Sequence, residues 1–177
     1  MSIVTIVGAG MMGSAMSVPL CDNNHEVRLV GTPLDREIIE HIKEYGVHPK
    51  LKRPISEAVK LYHIEELAQA LSETEYIISG VSSFGIEWFS EQVIPIIPCK
   101  VPVLAVTKGL YERDSGDLVP FPYLYKERHG ERISFNAIGG PCTSYELADR
   151  QHSAVAFCGD DPQILKEFKQ LLQKSYY

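Results

Sequence analysis

Three glycines close to the N-terminus have the spacing of turns that bind phosphate groups. Gly8, Gly10 and Gly13 follow the apolar run Ile3–Val7, and a helical pattern begins at Met11. In such a strand–turn–helix unit the first glycine permits the tight turn, the second lets a pyrophosphate approach the backbone, and the third lets helix and strand pack closely. Free N–H groups at the helix N-terminus complete an anion site. The pattern predicts that this turn binds the phosphates of a dinucleotide, the alternative being a glycine turn that serves packing alone.

The residues expected to contact the ribose of the dinucleotide are compatible with two cofactors. The tip of the second predicted strand carries Thr32 instead of the Asp or Glu that usually binds the ribose of NAD. Asp35 is interpreted as the acidic residue in the first turn of a helix that Thr32 caps. With no carboxylate at the tip to repel a 2′-phosphate, and with Arg36 nearby, the sequence admits both NAD and NADP.

Lys108 is the residue with the clearest chemistry outside the glycine turn. In open α/β sheets, ligands bind beyond the carboxyl ends of the strands. Gly8, Ser82, Lys108 and Gly140 all follow predicted strands, so one crevice is expected to collect them. There the ammonium group would hold a substrate phosphate or polarise a carbonyl that receives hydride. The alternative is a solvated loop lysine.

Two further features allow two interpretations each. Phe84 packs either on the nicotinamide or ribose of the cofactor or over the apolar core. The basic residues of the loop 50–53 fit a solvated face better than a phosphate clamp.

The elements that must position these residues alternate along the chain. Strands are predicted at 3–7, 26–30, 60–64, 76–79, 101–107, 133–138 and 154–157. Helices are predicted at 11–21, 33–42, 67–71, 86–94, 144–149 and 162–174, with 111–132 left unassigned. Pro19 is expected to bend or shorten the first helix. Alternating strands and helices are typical of a mostly parallel sheet, so the sequence predicts a single α/β domain of the doubly wound Rossmann type.

Composition and charge exclude several other classes of protein. The net charge of −6 and the lack of a basic run argue against a nucleic-acid binder. No stretch near the N-terminus has the length of a targeting or membrane segment. Four widely separated cysteines indicate reduced thiols in the cytoplasm. Six scattered histidines form no spaced ligand pair, so no metal site is predicted.

Four segments, in the right order, resemble the family of NAD(P)-dependent glycerol-3-phosphate dehydrogenases. They are 6–15 (IVGAGMMGSA), 81–84 (VSSF), 106–110 (VTKGL) and 139–142 (GGPC). The stretch Thr107-Lys108-Gly109-Leu110 is the most specific, because few other Rossmann enzymes have it after that strand. The likeness spans nearly all of the chain but covers only the family's N-terminal domain.

The resemblance implies an enzyme that interconverts dihydroxyacetone phosphate and glycerol 3-phosphate as a cytoplasmic homodimer. The cofactor contacts that it implies, in addition to the glycine turn, are Met11 and Met12 through their backbone, Thr32, Phe84, Lys108 and Ser144. The substrate contacts that it implies are Lys108, Gly140 and Cys142.

The chain departs from the family pattern at three places. Many relatives have Pro-Ser-His at Val81-Ser82-Ser83, Ser or Thr at Cys142, and Lys at Tyr145. Because a thiol is a weak hydrogen-bond donor, Cys142 either contacts the substrate weakly or fills a small buried space. The resemblance therefore implies dihydroxyacetone phosphate or a related compound as the substrate.

Family members continue into a helical C-terminal domain that supplies a second catalytic lysine. Residues 1–177 are therefore expected to be the nucleotide-binding part of a longer two-domain dehydrogenase and to be inactive alone. Two alternatives stay open: a non-enzymatic dinucleotide-binding or redox-sensing module, and a reductase of another small oxo-acid, similar to ketopantoate reductase.

Overall fold

The computed structural model describes residues 1–177 and is built around one seven-stranded sheet. The strands are β1 (Ile3–Val7), β2 (Glu26–Val30), β3 (Lys60–Tyr62), β4 (Tyr76–Ser79), β5 (Val103–Ala105), β6 (Leu110–Glu112), β7 (Leu118–Pro120), β8 (Phe135–Gly139) and β9 (Ala156–Cys158). The α-helices are α1 (Met11–Asp22), α2 (Arg36–Tyr45), α3 (Leu67–Ala70), α4 (Ile86–Trp88), α5 (Phe121–His129), α6 (Ser144–Ala148) and α7 (Pro162–Leu172).

The order of the strands is that of a doubly wound fold. The sheet runs β3-β2-β1-β4-β5-β8-β9, with β9 antiparallel to β8 and all other neighbours parallel. The connections change direction between β1 and β4, and ligands bind at such switch points. The predicted Rossmann-type α/β fold is therefore confirmed. The unassigned segment 111–132 contains most of the separate hairpin β6–β7 and all of α5.

The central strands are buried on both faces, as their continuous apolar runs require. In β4, Ile78 belongs to an apolar cluster with Met16 of α1 and Phe168 of α7. The adjacent Ile77 belongs to a second cluster, which contains Phe89 and Tyr125. Since successive strand residues point to opposite faces, these two clusters form the two layers of core that hold the helices against the sheet.

Besides α2, which begins at Arg36 instead of residue 33, two helices differ from the prediction. Pro19 does not shorten α1, which continues to Asp22, and Pro19 is buried among the residues that pack this helix. The predicted helix 86–94 is divided into α4, a π-turn at Phe89–Val93 and a 3₁₀ turn at Ile94–Ile96. Pro95 lacks the N–H that a continuing α-helix needs there. None of the helices combines the length and apolar character needed to cross a lipid bilayer.

Candidate dinucleotide-binding site

Two of the glycines in the predicted phosphate turn are required by close backbone packing. A Cβ atom on Gly8, whose φ is +113°, would lie 2.7 Å from the carbonyl carbon of Gly80. A Cβ atom on Gly13 would lie 2.1 Å from the carbonyl oxygen of Gly8. Gly80, which follows β4, is under the same constraint, since its Cβ would lie 2.8 Å from the Gly13 Cα. These contacts bring the first turn of α1 against the ends of β1 and β4.

Gly10 has no such packing requirement. A Cβ atom built on it meets no atom within 4 Å apart from those of Gly10 itself and its two chain neighbours. Gly10 precedes the first residue of α1 and makes no side-chain cap, and the N–H groups of the first helical turn have no partner within a helix. The position of Gly10 therefore leaves open space directly at the positive end of α1.

That open space is part of a cavity of about 390 Å³ at the switch point of the sheet. Its lining comes from the glycine turn, the tip of β2 and the loop after β4: Gly8, Gly10, Thr32, Pro33, Leu34, Asp35, Gly80, Val81, Ser82, Phe84, Gly85 and Trp88. The volume lies in the range of small-molecule and cofactor sites. Gly8, Gly10, Thr32 and Phe84 of the predicted cofactor set are thus brought together.

Exposed apolar side chains line the same cavity. Phe84 is 97% exposed and Leu34 is 91% exposed, although both are large hydrophobic residues. The interpretation of Phe84 as a cover of the apolar core is wrong, because its side chain is not buried there. Apolar side chains that face a cavity offer contact surface for flat rings.

The prediction that Thr32 caps the helix is wrong, although Asp35 does bond Thr32. The helix α2 begins at Arg36, and Thr32 lies in the preceding turn. The Asp35 Oδ2 atom accepts hydrogen bonds from Thr32 N at 2.9 Å, Thr32 Oγ1 at 2.8 Å and Ala9 N at 3.1 Å. A carboxylate therefore does lie at the tip of β2, where it joins this tip to the phosphate turn.

Lys108 contacts the backbone of the two other residues of the predicted substrate set, Gly140 and Cys142. Its Nζ atom donates to the carbonyl oxygens of Gly140 at 2.5 Å and Cys142 at 3.2 Å. An ammonium group has three donors, so one N–H remains for a ligand. Thr107 donates from Oγ1 to the Val81 carbonyl at 2.6 Å. This bond ties the end of β5 to the loop that lines the cavity.

The Cys142 thiol is placed differently from the rest of the predicted substrate set. The residue is only 3% exposed and belongs to the same apolar cluster as Met16 and Phe168. Its side chain is therefore a buried filler, and only its backbone carbonyl contacts Lys108. Gly140, by contrast, is exposed and has a φ of +126°, a conformation that favours glycine.

The helix α6, which begins at Ser144, contacts the first turn of α1. Thr143 caps this helix: its Oγ1 accepts from Glu146 N at 3.3 Å, and Glu146 Oε2 accepts from Thr143 N at 2.8 Å. The latter bond lowers the pKa of Glu146. The Tyr145 hydroxyl lies 3.8 Å from the Met11 Sδ atom. Ser144 is thus adjacent in sequence to Tyr145, which contacts Met11 in the first turn of α1. Met12, the next residue of α1, packs against the apolar core.

The basic loop 50–53 is tied to α6 through Arg53. Its guanidinium donates to both carboxylate oxygens of Asp149, at 2.5 and 2.9 Å, and lies 5.9 Å from the centre of the Tyr145 ring. These bonds lower the pKa of Asp149. Lys50 and Lys52 are exposed. The arrangement agrees with a solvated face better than with a phosphate clamp.

Sequence reasoning missed three residues that shape the site: Gly80, Asp35 and His48. Gly80 and Asp35 line the cavity. His48 is fully buried, and its Nε2 atom lies 2.9 Å from the Ala9 carbonyl oxygen in the phosphate turn. No local pattern around His48 indicates this contact, because its partner is 39 residues away in the sequence.

Three histidines are expected to make the stability of the fold sensitive to mild acid. Burial lowers the pKa of His25, His48 and His129 below the value of about 6.5 in an unfolded chain. The unfolded chain therefore binds protons before the folded protein does, and the free energy of unfolding falls as the pH decreases below about 6.5. The carboxylates with lowered pKa values stay ionised in this range.

We expect urea unfolding to give a lower free energy of unfolding at about pH 5.5 than at about pH 7. His48→Gln should have a shallower pH dependence than the unsubstituted protein. Equal stability at both pH values would contradict the expectation.

Comparisons with known proteins agree with this geometry. Residues 3–165 match the family model described as the N-terminus of NAD-dependent glycerol-3-phosphate dehydrogenase. A relative from Archaeoglobus fulgidus, named NADP(+)-dependent glycerol-3-phosphate dehydrogenase, is 33% identical over 99% of this chain and 52% of its own length. A glycerol-3-phosphate dehydrogenase from Glaesserella parasuis, named as using NAD(P)+, is 28% identical over 97% of this chain and 50% of its own length.

The solved structures establish the same fold. Glycerol-3-phosphate dehydrogenase from Coxiella burnetii superposes with a TM-score of 0.86 at 22% identity, over 99% of this chain and 52% of that one. The chain thus spans about half the length of the curated relatives that it matches. The family match over residues 3–165, together with the fold, shows that the chain belongs to the family of N-terminal domains of NAD-dependent glycerol-3-phosphate dehydrogenases.

Proposed function

We propose that residues 1–177 bind NAD or NADP as the N-terminal half of a dehydrogenase that interconverts dihydroxyacetone phosphate, or a related compound, and glycerol 3-phosphate. The observation that carries the binding proposal is the open space at Gly10. Apart from its two chain neighbours, nothing in the protein would lie within 4 Å of a Cβ atom at this position. Gly10 lies at the N-terminus of α1 and lines the cavity of about 390 Å³. A glycine that packing does not require is explained by a ligand that needs its space.

The residues of the cavity fit the parts of a dinucleotide. The backbone of Gly10, Met11 and Met12 would hold the pyrophosphate at the positive end of α1. Thr32 and Asp35 lie at the tip of β2, where the ribose of such cofactors binds. Phe84 offers an exposed apolar face on the other side of the cavity. The nicotinamide ring of the bound cofactor supplies the hydride-transfer chemistry.

Lys108 is the proposed catalytic residue. Two of its donors are used by the carbonyls of Gly140 and Cys142, and these contacts orient the ammonium group. The remaining N–H would bind an oxygen of the substrate, either of its phosphate or of its carbonyl group. A fixed positive charge stabilises negative charge that develops on a carbonyl oxygen.

The rest of the substrate site belongs, in this proposal, to a second domain. The curated relatives are about twice as long as the matched segment. We infer that a helical C-terminal domain completes the pocket with a second catalytic lysine, and that the whole enzyme is a cytoplasmic homodimer that acts on a small phosphorylated substrate. Residues 1–177 alone would bind the cofactor without turnover.

Calorimetric titration with NADH and NADPH tests the binding proposal. Both are expected to bind, and their dissociation constants should differ by less than about 100-fold, or about 2.7 kcal/mol. The physical reason is that the charge of Asp35 is partly offset by the three hydrogen bonds on its Oδ2 atom. ADP-ribose, which lacks the nicotinamide, is the control for binding through the phosphate turn. Absence of binding by either dinucleotide would contradict the proposed function.

A further inference from the structure

His48 reaches the phosphate turn from a loop that contributes nothing to the cavity lining. It lies in the connection between α2 and β3, and its side chain is fully buried. The His48 Nε2 atom lies 2.9 Å from the carbonyl oxygen of Ala9, the residue between Gly8 and Gly10. A side chain outside the cavity therefore touches the backbone that surrounds the candidate pyrophosphate site.

The hydrogen bonds of His48 determine which ring nitrogen carries the proton. Its Nδ1 atom accepts from the backbone N–H groups of Lys50 at 3.1 Å and Leu51 at 3.0 Å. An atom that accepts two such bonds carries no proton, so the neutral ring has its proton on Nε2 and donates it to Ala9. Burial also lowers the pKa of His48, which favours the neutral ring. The imidazole thus binds its own loop through Nδ1 and the phosphate turn through Nε2.

Ala9 is held at both ends of its backbone. Its N–H donates to Asp35 Oδ2 at 3.1 Å, and its carbonyl oxygen accepts from Ser14 Oγ at 3.2 Å as well as from His48. The flanking glycines have the widest conformational freedom of any residue. Bonds to Ala9 therefore restrict a segment that would otherwise sample several conformations.

The loop of His48 is also closed by contacts that do not involve Nε2. Val47 forms a β-bridge with Pro54, and Ile55 N donates to the Gly46 carbonyl at 2.9 Å. Leu51 is fully buried in the core. Because these contacts hold the loop, the bond from Nε2 to Ala9 can be removed without opening it.

We propose that His48 is a positioning residue that holds the phosphate turn in the conformation that binds a dinucleotide pyrophosphate. This inference rests on the proposed function, since it assigns the turn to cofactor binding. His48 does not contact the cofactor itself. Its effect is to reduce the conformational freedom that the turn would lose on binding, and such preorganisation raises affinity.

Two substitutions test the roles of the two ring nitrogens separately. In His48→Gln the side-chain amide reaches the position of Nε2 and donates to Ala9, but the acceptor at Nδ1 is lost. In His48→Asn the amide oxygen replaces Nδ1 as the acceptor for Lys50 and Leu51, but the bond to Ala9 is lost. His41→Asn is the matched control, because His41 bonds the same loop, through the Val47 carbonyl at 2.9 Å, and does not touch the turn.

We expect His48→Asn to raise the dissociation constant for NADH about tenfold, equivalent to about 1.4 kcal/mol. His48→Gln and His41→Asn should stay within about threefold of the unsubstituted domain. Melting temperatures, measured on the same samples, separate positioning from stability. If the affinity instead followed the loss of melting temperature across the three variants, or if His48→Asn bound NADH normally, the inference would be overturned.

A second measurement is independent of the cofactor. Hydrogen exchange of the backbone amides of residues 9–13, in the protein without nucleotide, should be at least about tenfold faster in His48→Asn than in His48→Gln. Equal exchange in the two variants would overturn the inference. If the unsubstituted domain failed to bind either dinucleotide, the proposed function would fail, and the exchange measurement would still decide whether His48 holds the turn.

Discussion

Gly10→Val is expected to abolish dinucleotide binding while the fold stays intact. A Cβ atom at this position meets nothing within 4 Å apart from its chain neighbours, so we expect the folded protein to accommodate the side chain. The same side chain would fill the space at the N-terminus of α1 that a pyrophosphate needs. The dissociation constants for NADH and NADPH should increase at least about 100-fold, or about 2.7 kcal/mol. Calorimetric titration measures the loss, and circular dichroism checks the fold.

Gly13→Val is the contrasting variant. Its Cβ atom would lie 2.1 Å from the carbonyl oxygen of Gly8, so this substitution should destabilise the packing of α1 on β1 as well as binding. We expect a lower melting temperature for Gly13→Val and an unchanged one for Gly10→Val. That difference would show that Gly13 is required for packing and that Gly10 is required for ligand binding. Retained affinity in Gly10→Val would refute the assignment of the phosphate turn.

Lys108→Met is expected to lower turnover about 100- to 1,000-fold in the proposed two-domain dehydrogenase, the range for loss of one group that stabilises a developing oxyanion. Methionine keeps an unbranched apolar side chain but removes the charge and all three N–H donors. The dissociation constant for NADH should change far less, because the glycine turn is the proposed site of the pyrophosphate. Steady-state oxidation of NADH with dihydroxyacetone phosphate measures turnover, and a titration with NADH measures the dissociation constant.

Lys166→Met provides the matched control for this experiment. Lys166 is an exposed residue of α7, outside the cavity and outside the contacts of Lys108. Its substitution removes the same charge and should leave turnover unchanged. Residues 1–177 alone are expected to show no turnover and serve as a second reference. Normal turnover and substrate affinity in Lys108→Met would return this residue to the interpretation of a solvated loop lysine.

The features that could be predicted from the sequence are those encoded locally. The nearly continuous apolar run at β1 and the apolar residues of β2 and β4 predict buried parallel strands, and the spacing of Gly8, Gly10 and Gly13 predicts the turn that follows β1. Ile38, Ile39 and Ile42 of α2 recur at helical spacing, and all three are buried. These predictions succeed because periodicity and turn chemistry depend on residues within a few positions of one another.

The arrangement around the turn could not be predicted, because it depends on contacts between distant segments. Asp35 fits a local helix-cap pattern, yet its carboxylate bonds Ala9, 26 residues away. Gly80 resembles any loop glycine until β4 lies beside β1, where its Cβ would lie 2.8 Å from the Gly13 Cα.

The sequence by itself determined the class of fold, the glycine turn and the strand-end position of Lys108, since each follows from the order of neighbouring residues. Only the tertiary structure decided that Cys142 is buried, that Gly10 is free of packing contacts, and which distant side chains hold Ala9. The physical reason is that burial and hydrogen bonding between segments depend on how the strands pair and the layers pack. These contacts form only when the whole chain folds, and they leave no periodic signal in the sequence.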